Sequence, residues 1–141
     1  MAIRQLSIFV DNKQGSLHDI TDALAKANIN LRSMCVADTS NYGIVRIIAD
    51  KPEEAKAMLD NEGHAANIRL INAFAVPDQP GGLAKVLNIL EGNGVNIDYM
   101  YALITSEDGK AYSVMRTGNT EETDRILTEN GIELLDESKL H

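Results

Sequence analysis

The chain is poor in residues that mark several common classes of protein. Of its 141 residues, only one is cysteine, none is tryptophan and three are proline. The single cysteine, Cys35, excludes an internal disulfide and fits a reducing compartment. The N-terminal residues lack the pattern of a signal peptide, and no apolar run approaches the roughly 20 residues that span a bilayer. We therefore expect a cytoplasmic protein that does not enter a membrane.

Positive charge and aromatic side chains are also scarce. The 13 lysines and arginines are outnumbered by 21 acidic residues, and the net charge is −8. Because the cations are scattered and form no basic stripe, nucleic acids and anionic membrane surfaces are poor partners. Aromatic residues make up only 4% of the chain, so the core must be built from aliphatic side chains and methionine. This composition is typical of a soluble globular protein.

What the sequence does contain is an internal repeat. The segment FVDNKQGSL matches AVPDQPGGL in the second half of the chain, and two later segments also find matches there. The extra residues of the second copy fall in a predicted hairpin turn, where insertions are tolerated. A repeat that covers each half of the chain predicts two small domains, 1–70 and 71–141, joined almost without a linker. The matched segments are 9–17 with 75–83, 42–46 with 112–116, and 51–63 with 119–131.

Each copy shows the same succession of strand and helix patterns. Apolar residues alternate in the predicted strands and recur at helical spacing in the predicted helices. The order βαββαβ, found twice, predicts an α+β fold of two tandem ferredoxin-like units with antiparallel sheets, packed side by side. The predicted strands are 3–10, 29–37, 42–49 and 66–70, then 70–76, 95–104, 110–117 and 132–136. The two strands that meet at residue 70 could form one nearly continuous strand.

The helical stripes predict which side chains face the two cores. A helix is expected after Gly15 and a second one after Asp50, with a turn at residues 38–41 between the strands that separate them. The helices of the second copy are expected at 81–92 and 120–130. The expected inward residues are Leu17, Ile20, Leu24, Ala27, Ala55, Met58 and Leu59, then Leu83, Val86, Leu87 and Leu90.

The loop between the first strand and the first helix of each copy has features of a binding site. Its sequence is DNKQGSL at 11–17 and PDQPGGL at 77–83. A helix N-terminus presents unpaired backbone N–H groups and a partial positive charge, which together favour a carboxylate. Glycine in the loop lets a ligand approach the backbone closely.

An asparagine opens the following strand of each copy. Asn30 follows Asn12 at the same spacing at which Asn96 follows Asp78. We expect the helix to return the chain so that both positions meet at one edge of the sheet. Side-chain oxygens there would accept hydrogen bonds from an ammonium group. Together with the loop, they suit a free amino acid or a similar small zwitterion.

The loop and asparagine together resemble the ACT domain, a family of small regulatory modules that bind amino acids, typically between paired domains. PDQPGGL followed by GVNID is close to the family pattern, whereas in DNKQGSL the residue Gln14 stands where proline is usual. The resemblance covers essentially the whole chain, twice, and implies an allosteric regulatory protein that forms a homodimer or acts on a partner enzyme. The ligand-binding positions that it implies are Asn12, Gln14, Gly15, Ser16, Leu17, Asn30, Asp78, Gln79, Pro80, Gly81, Gly82, Leu83 and Asn96.

Other interpretations stay open on the sequence alone. The glycine loops also suit simple tight turns, Asp78 suits an N-cap, and the two asparagines suit residues that satisfy local backbone groups. An enzyme is a second hypothesis, but no catalytic set or metal-ligand spacing stands out, and we expect no catalytic residues, metal or cofactor. A pure protein–protein interaction module is a third, because exposed sheet edges pair readily.

Overall fold

The computed structural model describes residues 2–38 and 41–140. Its contacts divide the chain into two compact units. The first, called here the N-terminal unit, is Arg4–Arg69, and the second, the C-terminal unit, runs from Leu70 onward and includes Ile3. The predicted turn at residues 38–41 includes Thr39 and Ser40, which lie outside the described residues.

The N-terminal unit is a four-stranded antiparallel arrangement with two helices. Its strands follow the order β2-β3-β1-β4, and β1 and β2 each pair antiparallel with β3. The buried core includes Leu6, Ile20, Leu24 and Leu59, which join the helices to the strands. The elements are β1 (Ile3–Asp11), α1 (Ser16–Lys26), β2 (Leu31–Asp38), β3 (Tyr42–Ala49), α2 (Pro52–Asn61) and the first part of β4 (Ala66–Pro77).

The C-terminal unit repeats this order. Its strands follow the order β7-β4-β6-β5, and its core includes Phe74, Val86, Leu90 and Ile126. The predicted succession βαββαβ is therefore confirmed in both copies, and the strands expected to meet at residue 70 form the single strand β4. The elements are the rest of β4, α3 (Gly82–Gly92), β5 (Ile97–Ala102), β6 (Lys110–Thr117), α4 (Thr120–Glu129), β7 (Glu133–Leu134) and a 3-10 helix (Glu137–Leu140).

The strand registers correct one detail of the repeat. Asp11 pairs with Tyr42, and Pro77, the counterpart of Asp11 in the second copy, pairs with Lys110. The structural counterpart of Tyr42 is therefore Lys110, not Tyr112 as the matching letters indicated. A two-residue insertion in the β5–β6 turn accounts for the whole difference. The alternation of apolar residues does not reveal this error, because a shift of two residues leaves every side chain on the same face of the sheet.

Two of the predicted inward leucines do not face a core. Leu17 is 38% exposed and Leu83 is 40% exposed. Both lie in the first turn of their helices, and the burial of the apolar stripe begins one turn later at Ile20 and Val86. Three other residues expected to be buried are only half-buried: Ala27, Met58 and Leu87.

The last strand is also shorter than predicted. Only Glu133 and Leu134 of the expected 132–136 form strand β7, although the N–H of Leu135 still donates to the carbonyl of Ala73 in β4 at 2.9 Å. The chain then turns at Asp136, whose side-chain oxygen accepts a hydrogen bond at 3.0 Å from the N–H of Ser138. This side chain competes with strand pairing for the backbone and starts the 3-10 helix.

The C-terminal unit buries a cluster of polar side chains in its core. Asn72, Thr117 and Thr123 are each at most 1% exposed. The side-chain amide of Asn72 donates to the carbonyl of Thr120 at 3.0 Å and to the carboxylate of Asp124 at 2.7 Å. The hydroxyl groups of Thr117 and Thr123 are 2.8 Å apart. The cluster is fully hydrogen-bonded, which is the condition under which buried polar groups are tolerated.

The N-terminal unit has apolar residues at the equivalent positions. The repeat places Leu6, Ala49 and Ala55 where the C-terminal unit has Asn72, Thr117 and Thr123. Leu6 and Ala55 are fully buried and Ala49 is 8% exposed. One backbone therefore supports two chemically different cores.

We predict that Asn72→Leu lowers the free energy of unfolding by about 1–3 kcal/mol, because it leaves hydrogen-bonding groups of the cluster without partners. The triple variant Asn72→Leu/Thr117→Ala/Thr123→Ala, which copies the N-terminal unit, should recover much of that loss. Urea unfolding of both variants measures the difference. A triple variant less stable than the single one would contradict this account of the cluster.

Candidate functional site: two strand-to-helix loops and their cavities

The two loops between the first strand and first helix of each unit share one backbone plan. In the N-terminal unit, the N–H of Lys13 donates to the carbonyl of Asp11 at 2.9 Å. The N–H of Ser16 donates to the carbonyl of Lys13 at 3.3 Å. The equivalent residues of the second loop make the same two bonds, at 2.9 and 3.1 Å. The matching sequences therefore encode the same turn.

A glycine in the left-handed region occupies the N-cap of each helix. Gly15 has φ +88° and Gly81 has φ +84°, a region that other L-residues rarely adopt. No side chain within residues 2–38 and 41–140 caps either helix, and Gly81 occupies the N-cap of α3, so the N-cap interpretation of Asp78 is wrong. The second loop is also the tighter one, because a Cβ at Gly82 would collide with the carbonyl oxygen of Pro77. The N-terminal unit accommodates a serine at that position.

The missing caps leave backbone donors unpaired. In α1, the N–H of Ser16 and that of Asp19 bond to loop carbonyls, and the same pattern holds in α3. The two N–H groups between them in each helix have no acceptor within the described parts of the chain. Such donors, at the positive end of the helix dipole, favour an anion. These unpaired donors belong to Leu17 and His18 in α1, and to Leu83 and Ala84 in α3.

Each loop borders an open cavity within its own unit. The cavity of the C-terminal unit has a volume of about 480 Å³, and that of the N-terminal unit about 310 Å³. Both are formed by equivalent elements: the end of the first strand, the loop, the first helical turn, the start of the third strand and the glycine turn after the second helix. Cavities of this size accommodate small molecules.

The side chains around the two cavities differ in charge. Lys110 lines the larger cavity, but its ammonium group is 2.9 Å from Glu133 and 3.2 Å from Glu107. These hydrogen bonds, first to Glu133 and then to Glu107, raise the pKa of Lys110. The bonds that Lys110 and then Lys139 donate hold the pKa of Glu133 below its usual value. Lys85 lines the same cavity and has no ion-pair partner within residues 2–38 and 41–140.

The structure brings the predicted loop residues to the cavities. Gln79, Pro80, Gly81 and Gly82 line the larger cavity, and Ser16 lines the smaller one. The other predicted loop residues lie in the same turns and are exposed. They are Asn12, Gln14, Gly15 and Leu17 in the N-terminal unit, and Asp78 and Leu83 in the C-terminal unit.

The two predicted asparagines lie elsewhere. Asn30 precedes the pairing of Leu31 with Ala49, whereas the loop follows the pairing of Asp11 with Tyr42 at the other end of β3. Most of the length of a strand separates these ends, a distance of roughly 24 Å. The same holds for Asn96. The expectation that the two positions meet at one edge is therefore wrong within a unit. The helix leads the chain back along the sheet, so the next strand starts at the end of the sheet opposite the loop.

The surroundings of the asparagines differ between the units. The backbone of Asn30 exchanges hydrogen bonds with Asp50: its N–H donates to the carboxylate at 3.0 Å, and its carbonyl accepts at 3.1 Å. The side-chain amide of Asn96 instead donates to Asp98 at 3.2 Å. Asn96 and Asp98 also line a separate cavity of about 340 Å³, to which α4 contributes Glu122. Among the described residues, neither asparagine side chain bonds to a local backbone group, so the structure does not support that interpretation for Asn30 or Asn96.

Sequence reasoning missed the charged residues of the cavity walls. Asp19 and Lys85 occupy equivalent positions in the two copies, so a residue-by-residue comparison of the copies shows their opposite charges. Lys110 could not be found in this way, because the incorrect alignment matched Tyr42 with Tyr112. Within the described chain, no group of three or more histidine, cysteine or acidic residues is arranged to hold a metal ion. In that same part, the helices are all too short or too polar to cross a membrane.

Comparisons with known proteins agree with this geometry. A family model described as an ACT domain pair matches residues 1–141. The crystal structure of protein BT0572 from Bacteroides thetaiotaomicron is 39% identical, with a TM-score of 0.92 over 99% of this chain and 96% of that chain. The ligand-free regulatory subunit of aspartate kinase from Thermus thermophilus shares the fold, at 16% identity and a TM-score of 0.68 over 91% and 92% of the two chains. No curated protein matches the chain.

We predict that Gly81→Ala lowers the free energy of unfolding by about 1–2 kcal/mol, because alanine is strained at a positive φ. Gly92, the last residue of α3, is the matched control, since it has no positive φ and open space around its Cα. Gly92→Ala should raise stability by up to about 1 kcal/mol. Denaturant unfolding compares the two, and equal effects would contradict the assigned backbone constraint.

Proposed function

This chain belongs to the ACT domain family, and on that premise we propose that it is a regulatory protein, not an enzyme, that binds a free amino acid. We assign one ACT domain to residues 1–70 and the other to residues 71–141. The observation that carries the proposal is the pair of unpaired N–H groups beside a cavity, built in the same way in both units. Ligand binding would alter either a partner enzyme or self-association of the chain.

The first turn of α3 is the stronger of the two candidate sites. The N–H groups of Leu83 and Ala84 have no acceptor among the described residues and lie at the positive end of the helix dipole, where a ligand carboxylate would accept hydrogen bonds from them. Lys85 adds an exposed positive charge one residue further along. In the N-terminal unit, the equivalent residue is Asp19, whose negative charge opposes a carboxylate at the same place.

The ammonium group of the ligand requires acceptors from another source. Asn96 and Asp98 offer amide and carboxylate oxygens, but they lie roughly 24 Å from the loop of their own unit. They can complete a ligand at the loop only from a second copy of the chain. A site shared in this way fits the resemblance, which implies binding between paired domains.

A catalytic role has less support. The described residues around the larger cavity include Lys110 and Glu133, which bind each other, and the unpaired Lys85, but no nucleophile beside a base. Catalysis by acyl transfer or proton abstraction needs such a pair within hydrogen-bond reach. The fold shared with regulatory subunits of aspartate kinase is consistent with a regulatory role.

The test is thermal unfolding of the intact protein with each of the twenty amino acids in turn. A ligand at about 100 times its Kd adds about 2.7 kcal/mol, which corresponds to a rise in Tm on the order of 10 °C. We expect one amino acid, or one chemical class, to produce such a rise. If none does, the proposed function is wrong.

A matched pair of variants tests the site itself. Ala84→Pro removes one unpaired N–H, and proline is tolerated in the first turn of a helix. Ala84→Ser keeps that N–H. We expect the proline variant to lose most of the ligand-induced rise in Tm and the serine variant to keep it. Equal responses in both would place the ligand away from the first turn of α3.

A further inference from the structure

Two aromatic side chains are exposed beside the cavity of the N-terminal unit. Phe9 in β1 is 60% exposed, and Tyr42 at the start of β3 is 44% exposed. Their ring centroids are 5.9 Å apart, and the planes of the rings meet at 53°. Both residues line the cavity. Large aromatic side chains that stay open to solvent next to a cavity favour a ligand that covers them.

The register of β1 and β3 places a carboxylate on the same face as these rings. Asp11 pairs directly with Tyr42, and Phe9 lies two residues earlier in the same strand. Paired residues share a face of the sheet, as do residues two apart in one strand. The side chains of Phe9, Asp11 and Tyr42 are therefore neighbours on one face, and all three residues line the cavity.

A second carboxylate gives the cavity wall an excess of negative charge. Asp19 lines the cavity from the first turn of α1, and it takes part in no ion pair within the described ranges of the chain. Lys13 also lines the cavity, with its ammonium group 3.8 Å from the carboxylate of Asp11. Both side chains of that pair are largely exposed, so the pair contributes little and a ligand cation can replace Lys13.

The equivalent positions of the C-terminal unit have different chemistry. The registers and the repeat match each of these wall residues with a residue beside the larger cavity. The counterparts of Phe9, Asp11, Asp19 and Tyr42 are Ala75, Pro77, Lys85 and Lys110. Two rings and two carboxylates thus correspond to two aliphatic side chains and two ammonium groups. The two cavities therefore favour ligands of opposite charge.

We propose that the cavity of the N-terminal unit binds a small organic cation, whose charged group lies against Phe9 and Tyr42 and beside Asp11. The face of an aromatic ring attracts a cation within about 6 Å of the ring centroid, and aromatic cages of this kind hold quaternary ammonium groups. The carboxylates add a Coulombic attraction that a neutral molecule of the same shape does not gain. This inference goes beyond the proposed function, because the ligand needs no carboxylate.

The probe that tests the inference is choline, compared with 3,3-dimethyl-1-butanol, in which a carbon atom replaces the charged nitrogen. Each compound is titrated into the intact protein, and NMR follows the ring signals of Phe9 and Tyr42. We expect the Kd of choline to be at least about tenfold lower than that of the alcohol, because only choline carries the positive charge. Equal affinities of the two compounds, or choline shifts confined to the C-terminal unit, would overturn the inference.

Variants separate the contribution of the carboxylates from that of the rings. The double variant Asp11→Asn/Asp19→Asn should raise the Kd of choline roughly tenfold. Phe9→Leu keeps an apolar side chain but removes the ring, and it should raise this Kd roughly threefold without changing that of the alcohol. Lys13→Gln should lower the Kd of choline, because it removes the competing ammonium group.

The matched control for the two carboxylates is Glu91→Gln/Asp108→Asn, which makes the same change in net charge at exposed positions of the C-terminal unit. It should leave the Kd of choline within twofold of the unaltered value. An equal loss of affinity in both double variants would overturn the assigned site. A protein that binds choline as expected but responds to no amino acid contradicts only the proposed function. An amino-acid response without preference for choline over the alcohol contradicts only this inference.

Discussion

A glycine in the left-handed region at the N-cap of a helix is the constraint on which the site depends. Most helices satisfy their first N–H groups with the side chain of an N-cap serine, threonine, aspartate or asparagine. Gly15 and Gly81 have no such side chain, and each loop satisfies only the outer two of the first four donors. The two inner donors of each helix have no acceptor among the described residues, which is an arrangement that favours an anion.

The two units show how one backbone can be kept while its chemistry diverges. The loops form the same hydrogen bonds, and the strand registers of the two copies correspond. The side chains differ in the core, where Asn72 is equivalent to Leu6, and beside the cavity, where Lys85 is equivalent to Asp19. Because the backbone plan is common to both, the two cavities differ chiefly in volume and in the charge of their side chains.

The sequence was sufficient for the order of the elements and for the loop. Strand β3 spans the residues predicted, and helix α1 begins directly after Gly15 as predicted, because alternation and glycine positions are local signals. The place of Asn30 and Asn96 depends on strand direction, which is a property of the topology. Leu17 and Leu83 fit the helical stripes but are exposed in the first turns of α1 and α3, because periodicity predicts the direction of a side chain and not what lies opposite it.

The most direct test of the central claim is to follow the backbone amides by NMR while the ligand identified by thermal unfolding is added. If the carboxylate binds the uncapped first turn, the amide signals of Leu83 and Ala84 will show some of the largest shifts in the protein. The amide of Gly92, at the other end of the same helix, should move little. Shifts concentrated elsewhere, with Leu83 and Ala84 unchanged, would contradict the account.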